Sequence, residues 1–456
     1  MQQTIESSFI DTDYVSPLTA EAYLQMYRDQ GQQLVIKASG RELTTEKLRA
    51  LVPQIEYLTA NGIYTVLVYG GGEQITQEWK DLHPGVDRPK VNGVGITTDE
   101  VRRDAVRPAY EKIRRRLQDA LPDFLFFNPE DMPCDRVESV IGKDGQPVDP
   151  RWVGKPRGLV IPQGRNVAIG FMGMMGKEDL NVNADWIARG VGELDQTGEI
   201  FFLTETRGVL DRQKNVVPVL LANEIRSDGG YPGLDIDGGM GLKTLEVKNL
   251  LAATRGRLQK VVFTDGAGLR REIEDWRGGG TLVFDPCDLE CSPATAIEHT
   301  IVDTIDAEYE EQGLFRRLMP EGKERARRER RVVRIGNSPM GGFSLLDHPS
   351  DNAVEFARYW AGYPGNGIGK HIVGHAQRQF GIMGRNELFA LSAPLNPSDE
   401  TSKQKLIELY QSYGFQCRGK VSEFQGKDGV PHHVSAYDPA TRGRDPYYFI
   451  YKRPGS

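Results

Sequence analysis

Long apolar runs are missing from this chain. No stretch approaches the ~18 uninterrupted apolar residues that a membrane span needs. The opening segment, MQQTIESSFIDTD, has no basic stretch leading into an apolar one, so no signal peptide is expected. Cysteine is scarce: four in 456 residues cannot form a disulfide framework. Cys287 and Cys291 stand C-x3-C apart, but no second Cys/His pair follows at zinc spacing, so no metal is expected. Positive charge is not in excess either. The 57 Lys+Arg against 64 Asp+Glu leave a net charge of −7, which disfavours a dedicated nucleic-acid binder. These absences leave the soluble cytoplasm as the expected location, with no nucleic acid and no membrane expected as partners.

What the chain does have is glycine, 51 residues, in clusters. Gly70-Gly71-Gly72, Gly238-Gly239, Gly278-Gly279-Gly280 and Gly365-x-Gly367-x-Gly369 each sit beside an apolar run. Glycine at a strand end lets backbone turn tightly or approach a ligand closely, which points to anion handling. The length exceeds what one core organises, roughly 250–300 residues, so two domains are expected. Asp285 to Pro293, with two prolines, two cysteines and no periodicity, marks the cut: 1–290 and 291–456.

Buried-strand patterns at Leu34 to Lys37, Ile63 to Tyr69, Ile200 to Leu203, Lys260 to Thr264 and Thr281 to Phe284 alternate with helical ones. Thr45 to Ala60 puts Leu48, Leu51, Val52, Ile55 and Leu58 on one face, and Thr97 to Leu121 reads as one long polar helix. This is an α/β pattern with a largely parallel sheet covered by helices on both faces. The Pro/Gly-rich stretch 128–165 reads as hairpin or lid rather than core.

Lys37, the first Gly triplet, Asn181-Val-Asn183-Ala-Asp185, Thr204-Glu205 and Lys243 all fall at strand ends, where ligands collect in open α/β sheets. Two lysines beside a phosphate neutralise charge on a transferred phosphoryl group. The segments LVIKASG, LVYGGGEQI, VNGVGITTDEV, NVNAD, IFFLTETRGVLD, GGMGLK and GGGT resemble, in order, the amino-acid kinase family, closest to its acetylglutamate kinases. The resemblance covers about residues 20–285. It implies a three-layer αβα sandwich with Lys37 and Lys243 as phosphoryl-stabilising lysines. Gly71 and Gly72 would contact the acylated amino acid or its phosphate, with Asn181 and Asn183 in the same site. Three positions depart from the family. Its Gly-x-Arg-x-Thr, whose Arg holds a substrate carboxylate, reads Gly93-Val94-Gly95-Ile96-Thr97, and Gly95 offers no guanidinium fork. Glu205 stands where the acid organising the lysines is usually Asp, and Ser39 replaces a Gly. These departures turn the expectation from a kinase toward a regulatory domain. Ala22 to Asp29 resembles the N-terminal helix (about 19–30) of arginine-sensitive members; an ordinary helix packing Tyr23, Met26 and Tyr27 on its own domain is the alternative.

In the C-terminal part, Ala353 to Trp360 reads as a strand with Val354, Phe356 and Trp360 on one side and Glu355, Ala357 and Tyr359 on the other. A turn, Tyr363-Pro-Gly-Asn-Gly-Ile-Gly-Lys370, then leads into a helix through Ile372, Val373, Ala376 and Phe380. A glycine turn entering a helix presents free N–H groups and a positive dipole end to an anion. This turn and Leu409-Tyr410-x-x-x-Gly414-Phe415 resemble the GCN5-related N-acetyltransferase family. Pro364 replaces the Gln/Arg that normally precedes the turn, and the family's Asn is displaced to Asn396. Glu310-Glu-Gln-Gly-Leu-Phe-Arg316-Arg317, Val332 to Ile335 and Gly341 to Leu346 are similar to the segments opening the acetyltransferase domain of N-acetylglutamate synthases. In that family the two domains occur in this order.

The resemblance implies an α/β protein, an amino-acid-kinase-like sandwich followed by a smaller acetyltransferase domain. It implies an N-acetyltransferase of arginine biosynthesis, making N-acetyl-L-glutamate from acetyl-CoA and L-glutamate in a homo-oligomer with L-arginine as effector. Coenzyme A would lie on Asn366, Gly367, Ile368, Gly369, Lys370 and Asn396. Glu355 is the expected base, its alternative being a buried strand carboxylate; Tyr410 is the expected acid, its alternative being core. Arg316, Arg317 and Arg453 are expected at glutamate's carboxylates. The basic run Lys323 to Arg334, seven Lys/Arg against two Glu, reads as a solvated helix face, with coenzyme A or interdomain contacts as the alternative. A bifunctional kinase–acetyltransferase and a non-enzymatic arginine sensor remain as alternative functions.

Overall fold

The computed structural model describes residues 17–456 other than 89, 92–93, 142–144, 196, 237, 255–259, 276–277, 313–314, 316, 337, 364–366, 394–397, 428–429, 436, 438–444 and 453–456; of 17, 18, 94, 238 and 433 it describes the backbone alone. The chain divides into two compact units, Tyr23–Asp288, and Leu289–Ser456 with Met1–Ala22.

The Tyr23–Asp288 unit is built on an eight-stranded sheet. Across it the order is Val219–Leu221, Thr281–Phe284, Lys260–Thr264, Thr197–Leu203, Gln33–Ala38, Thr65–Tyr69, Val167–Ile169 and Leu125–Phe126. Every neighbouring pair is parallel except Lys260–Thr264 with Thr281–Phe284. The central strands are buried along their whole length, which is why they read as unbroken apolar runs. The helix Thr45–Ala60 keeps the predicted face, burying Leu48, Leu51, Ile55 and Leu58, and the Thr44 side chain caps it by accepting from Lys47 N.

Two expectations change in this unit. The helix expected over Thr97 to Leu121 runs without a break from Asp99 to Ala120, but through a π-turn segment, Arg102–Val106, between Asp99–Val101 and Arg107–Ala120. Pro108 has no N–H to continue the i→i−4 ladder, and the wider turn falls directly before it. The stretch 128–165 is core as well as hairpin. Met132, Cys134, Leu159 and Ile161 join the main hydrophobic cluster with Val35, Val66 and Ile200. Cys134–Arg136 and Val153–Pro156 form a second sheet with Glu178–Val182 and Met172–Met175. In the N-terminal helix Pro17–Gln30, Tyr23 and Tyr27 are buried, and Tyr27 Oη donates to Glu199 Oε2 at 2.7 Å.

The second unit is a seven-stranded sheet in the order Glu290–Pro293, Arg330–Ile335, Ser338–His348, Ala353–Ala361, Glu387–Ser392, Tyr447–Tyr451 and Gln416–Lys420. All its pairs are antiparallel except Ala353–Ala361 with Glu387–Ser392. The basic run is a solvated helix face only in its first half, where Lys323, Arg327 and Arg328 are exposed on the helix Pro320–Arg328. Its second half is the strand Arg330–Ile335, and acids of the helix Ala296–Glu311 meet it. Buried Arg330 pairs with Asp303 at 2.7 Å and Asp306 at 2.8 Å, and Arg334 pairs with Glu298 at 2.8 Å. The compensating charges lie over 20 residues upstream, out of reach of a local charge pattern. Among the described residues no helix is long and apolar enough to cross a membrane.

Candidate active site

The one parallel pair in the second unit opens the site. Ala353, Val354 and Glu355 pair with Glu387, Leu388 and Phe389, and there the pairing stops, although the strands run on to Ala361 and Ser392. Beyond Glu355 the two strands splay, leaving backbone donors and acceptors facing a gap. Such gaps at the carboxyl ends of parallel strands are where ligands bind in α/β sheets.

Glu355 is the last paired residue before the gap. It is buried, with His348 Nε2 at 3.5 Å from its Oε2. Ser392 lies three positions beyond Glu355's partner, Phe389, an odd number, so the two side chains point to opposite faces of the sheet. Tyr410, on the helix Glu400–Ser412, reaches Ser392 by a side-chain hydrogen bond. Its ring stacks on Phe449 at 4.3 Å between centroids and meets Phe415 edge-on at 5.5 Å. Burial pushes its hydroxyl up to about 12, with the Ser392 bond a smaller opposing effect, so it stays protonated at neutral pH. Glu355 and Tyr410 thus flank the gap from its two faces.

The strand Ala353–Ala361 carries an irregularity that the period-two reading missed. Opposite it, Gly342 pairs with Trp360 and Ser344 with Ala357, so Arg358 and Tyr359 together face Phe343. Arg358 takes a left-handed φ of 53°, and the extra residue turns Tyr359 onto the side of Phe356, whose ring it meets at 5.4 Å. The expectation that Tyr359 shares a face with Glu355 is therefore overturned.

The helix Ile368–Met383 starts with Gly367 at φ 78°, a conformation that only glycine adopts freely, beside open space. Gly369 is glycine for another reason. A Cβ there would lie 2.3 Å from Tyr359 Oη and 2.7 Å from Tyr413 Oη, so the two hydroxyls close on the first helical turn. Burial, then the neighbouring Tyr413, pushes the Tyr359 hydroxyl well above its ordinary range. The helix start therefore presents N–H groups among neutral hydroxyls. Ile368 is buried, and Lys370 is exposed. Asn366, Asn396, Arg316 and Arg453 lie outside the described residues.

Arg317 is exposed and does not line the charged cavity of this unit. That cavity, ≈ 250 Å³, is bordered by Arg330, Arg358, Asp303, Asp306, Glu310 and Lys323, among others. Arg358 and Glu310 form a buried ion pair at 2.5 Å, and Lys323 meets Glu310 at 2.8 Å. Sequence reading missed Arg358. Its only signal was one long cation in a strand whose one other charged residue is Glu355.

In the Tyr23–Asp288 unit, Lys37 lies buried between Val68 and Phe202 of the neighbouring strands, and its Nζ is 2.5 Å from Asp185 Oδ1. Burial lowers the Lys243 ammonium from its usual range, with the charge of Lys37 as the second cause, so the two lysines share one neighbourhood. Asn183 caps the helix Ala184–Gly192 by accepting from Asp185 N at 2.9 Å. Asn181 Nδ2 donates to Thr97 Oγ1 at 3.0 Å. Gly72 faces open space at the start of Gly72–Leu82, whereas Gly71 packs against the Phe171 ring, 2.2 Å from where a Cβ would be. Glu205 does not pair with the lysines among the described residues. Arg41 takes it at 3.2 Å, and Asp185 holds Lys37 instead.

No family model matches the chain. Acetylglutamate kinase of Rhizorhabdus wittichii is 28% identical over 302 residues, 58% of this chain and 93% of that protein. That of Sulfurovum sp. is 27% identical over 285 residues, 55% and 91% of the two. Among solved structures, N-acetylglutamate synthase from Neisseria gonorrhoeae complexed with coenzyme A and L-arginine covers 95% of this chain and 97% of its own, with a TM-score of 0.64 at 17% identity. The chain shares that fold. The same enzyme with coenzyme A and N-acetyl-glutamate superposes with a TM-score of 0.53 at 20% identity, over the same shares of the two chains. The likeness runs through both units, so the α/β class is an amino-acid-kinase-like sandwich followed by an acetyltransferase-like domain.

Proposed function

We propose that this chain is a cytoplasmic amino-acid N-acetyltransferase making N-acetyl-L-glutamate from acetyl-CoA and L-glutamate, with its kinase-like unit regulatory and L-arginine as effector. The observation that carries this reading is the splay after Glu355 and Phe389, which leads to a glycine-started helix and is flanked by a carboxylate and a neutral phenol on opposite faces. The coenzyme A, N-acetyl-glutamate and L-arginine of the Neisseria gonorrhoeae structures support the choice of ligands.

Glutamate's ammonium has no lone pair and must lose a proton before it attacks. Glu355 accepts that proton, directly or through water, from one face of the gap. The amine nitrogen then bonds to the thioester carbon, and backbone N–H groups freed by the splay stabilise the oxyanion. Collapse breaks the C–S bond. The surplus proton on nitrogen ends on sulfur, giving coenzyme A as the thiol. Tyr410 lies on the opposite face, where the sulfur departs. With its hydroxyl near 12 against roughly 8.5 for a thiol, its contribution is a hydrogen bond to the developing thiolate more than a full proton transfer. Thiol release from acetyl-CoA tests the reading: L-glutamate is expected to be the preferred acceptor among the amino acids, and no release above background with glutamate would end it.

A further inference from the structure

Arg88 is a buried charge of the Tyr23–Asp288 unit that no described residue answers. It is 7% exposed, and among the described residues no carboxylate pairs with it and no acceptor takes its hydrogen bonds. Burial alone lowers it, to about 10 from a guanidinium's usual range, with no neighbouring charge contributing. Elsewhere in this unit buried cations are answered: Lys37 by Asp185 and Lys260 by Glu199 at 3.0 Å. An unpaired buried charge is among the costliest arrangements in a protein interior, so a site that keeps one is a site completed by something else.

The position of the guanidinium says more. A Cβ on Gly95 would lie 2.1 Å from Arg88 Nη2, 2.6 Å from Cζ and 3.1 Å from Nε. The fork of Arg88 therefore fills the space in which a side chain of residue 95 would begin. Lys90 pairs with Gly95 across a short antiparallel ribbon, so Arg88, two residues before Lys90, comes from the segment that leads into the opposite strand. Two residues past Gly95, buried Thr97 accepts from Asn181, and Asn183 and Asp185 follow on that segment. The hairpin is thus tied by one hydrogen bond to the segment that holds the partner of Lys37.

We propose that Arg88 is the carboxylate-binding residue of a small-molecule site in this unit, its guanidinium lying over Gly95 to receive the carboxylate of an amino acid or N-acyl amino acid. The stoichiometry of charge favours a carboxylate. One guanidinium with no second cation beside it balances one negative charge, whereas a phosphate monoester brings nearly two. The planar fork also matches a carboxylate bidentately. This inference concerns one unit alone and does not rest on the acetyltransferase reading.

Calorimetric titration of the full chain tests it with L-arginine, N-acetyl-L-glutamate, the carboxylate-free analogue L-argininamide, and inorganic phosphate. At least one of the two carboxylates is expected to bind, and Arg88→Met to weaken that binding at least tenfold while raising the melting midpoint of the ligand-free protein. Gly95→Ala is expected to lose binding too, because its methyl displaces the fork. The exchange Arg88→Gly with Gly95→Arg is expected to regain it by returning a guanidinium from the other strand, and it decides the matter if Arg88→Met does not fold. Full-strength carboxylate binding in Arg88→Met, argininamide binding as well as arginine, phosphate binding in place of both carboxylates, or binding by none of the probes would each overturn the proposal. Acetyl-CoA turnover is not the readout, so failure of the transferase reading leaves these outcomes unchanged.

Discussion

The two strand-end centres of this molecule solve the same electrostatic problem in opposite ways. Around Lys37, full charges are compensated within the chain: Lys37 by Asp185, and Arg41 by Glu73 and Glu205. At the helix start of the second unit, Tyr359, Tyr410 and Tyr413 meet as hydroxyls that burial keeps neutral. Fixed ion pairs suit the holding of a charged ligand or a phosphoryl group, since nothing has to move. Neutral donors that stay protonated suit a reaction in which charge appears transiently on oxygen and sulfur. Similar glycine-rich grammar in the two places therefore stands beside paired full charges in one unit and beside neutral hydroxyls in the other.

Three substitutions test that contrast. The largest effect is expected from Glu355→Gln, a loss of roughly 10²–10⁴ in kcat for glutamate acetylation. The deficit should shrink as pH rises, because solvent then deprotonates the amine; a constant deficit across pH would remove the base assignment. Next, Lys37→Met leaves Asp185 without its counter-charge and should destabilise its unit by about 3 kcal/mol, the range for breaking one side of a buried pair. Urea unfolding followed by tryptophan fluorescence reads this unit, since Trp79, Trp152, Trp186 and Trp276 lie in it and only Trp360 does not. An unmoved midpoint would mean that the pair is not the structural charge balance argued above. The smallest effect is Tyr410→Phe, about 10–100-fold in kcat with the ring stack on Phe449 retained. Because the hydroxyl titrates only near 12, the alkaline limb of the profile up to pH 9 should be the same in both proteins.

The sequence made legible what depends on neighbours along the chain. The runs around Lys37, Phe202 and Phe263 are strands because they bury both faces, and Thr45–Ala60 is a helix because its period is 3.6. Glu355 on the strand before the glycine turn, Tyr410 on a helix and Gly367 at a helix start were reachable the same way, whereas the gap after Glu355 was not. Features set by distant partners were not. Arg330 looked solvated because Asp303 and Asp306 come from another helix, and Glu205 looked like the lysines' acid because Arg41 is far off in sequence. Gly95 looked like a lost contact, and only the fold brings Arg88 across the hairpin into its place.

The doubled position opposite Phe343 has a consequence for how this strand can change over time. Side-chain parity along a strand is a two-state variable, and a point substitution cannot flip it. The frame that places Glu355 toward one side and Tyr359 against the first turn of the Gly367-started helix is held by one surplus residue, Arg358. Removing that single residue would leave every amino acid downstream chemically intact and yet present each to the wrong side. Relatives of this chain should therefore preserve the count of residues between Glu355 and Gly367 more strictly than the identities of the residues in between.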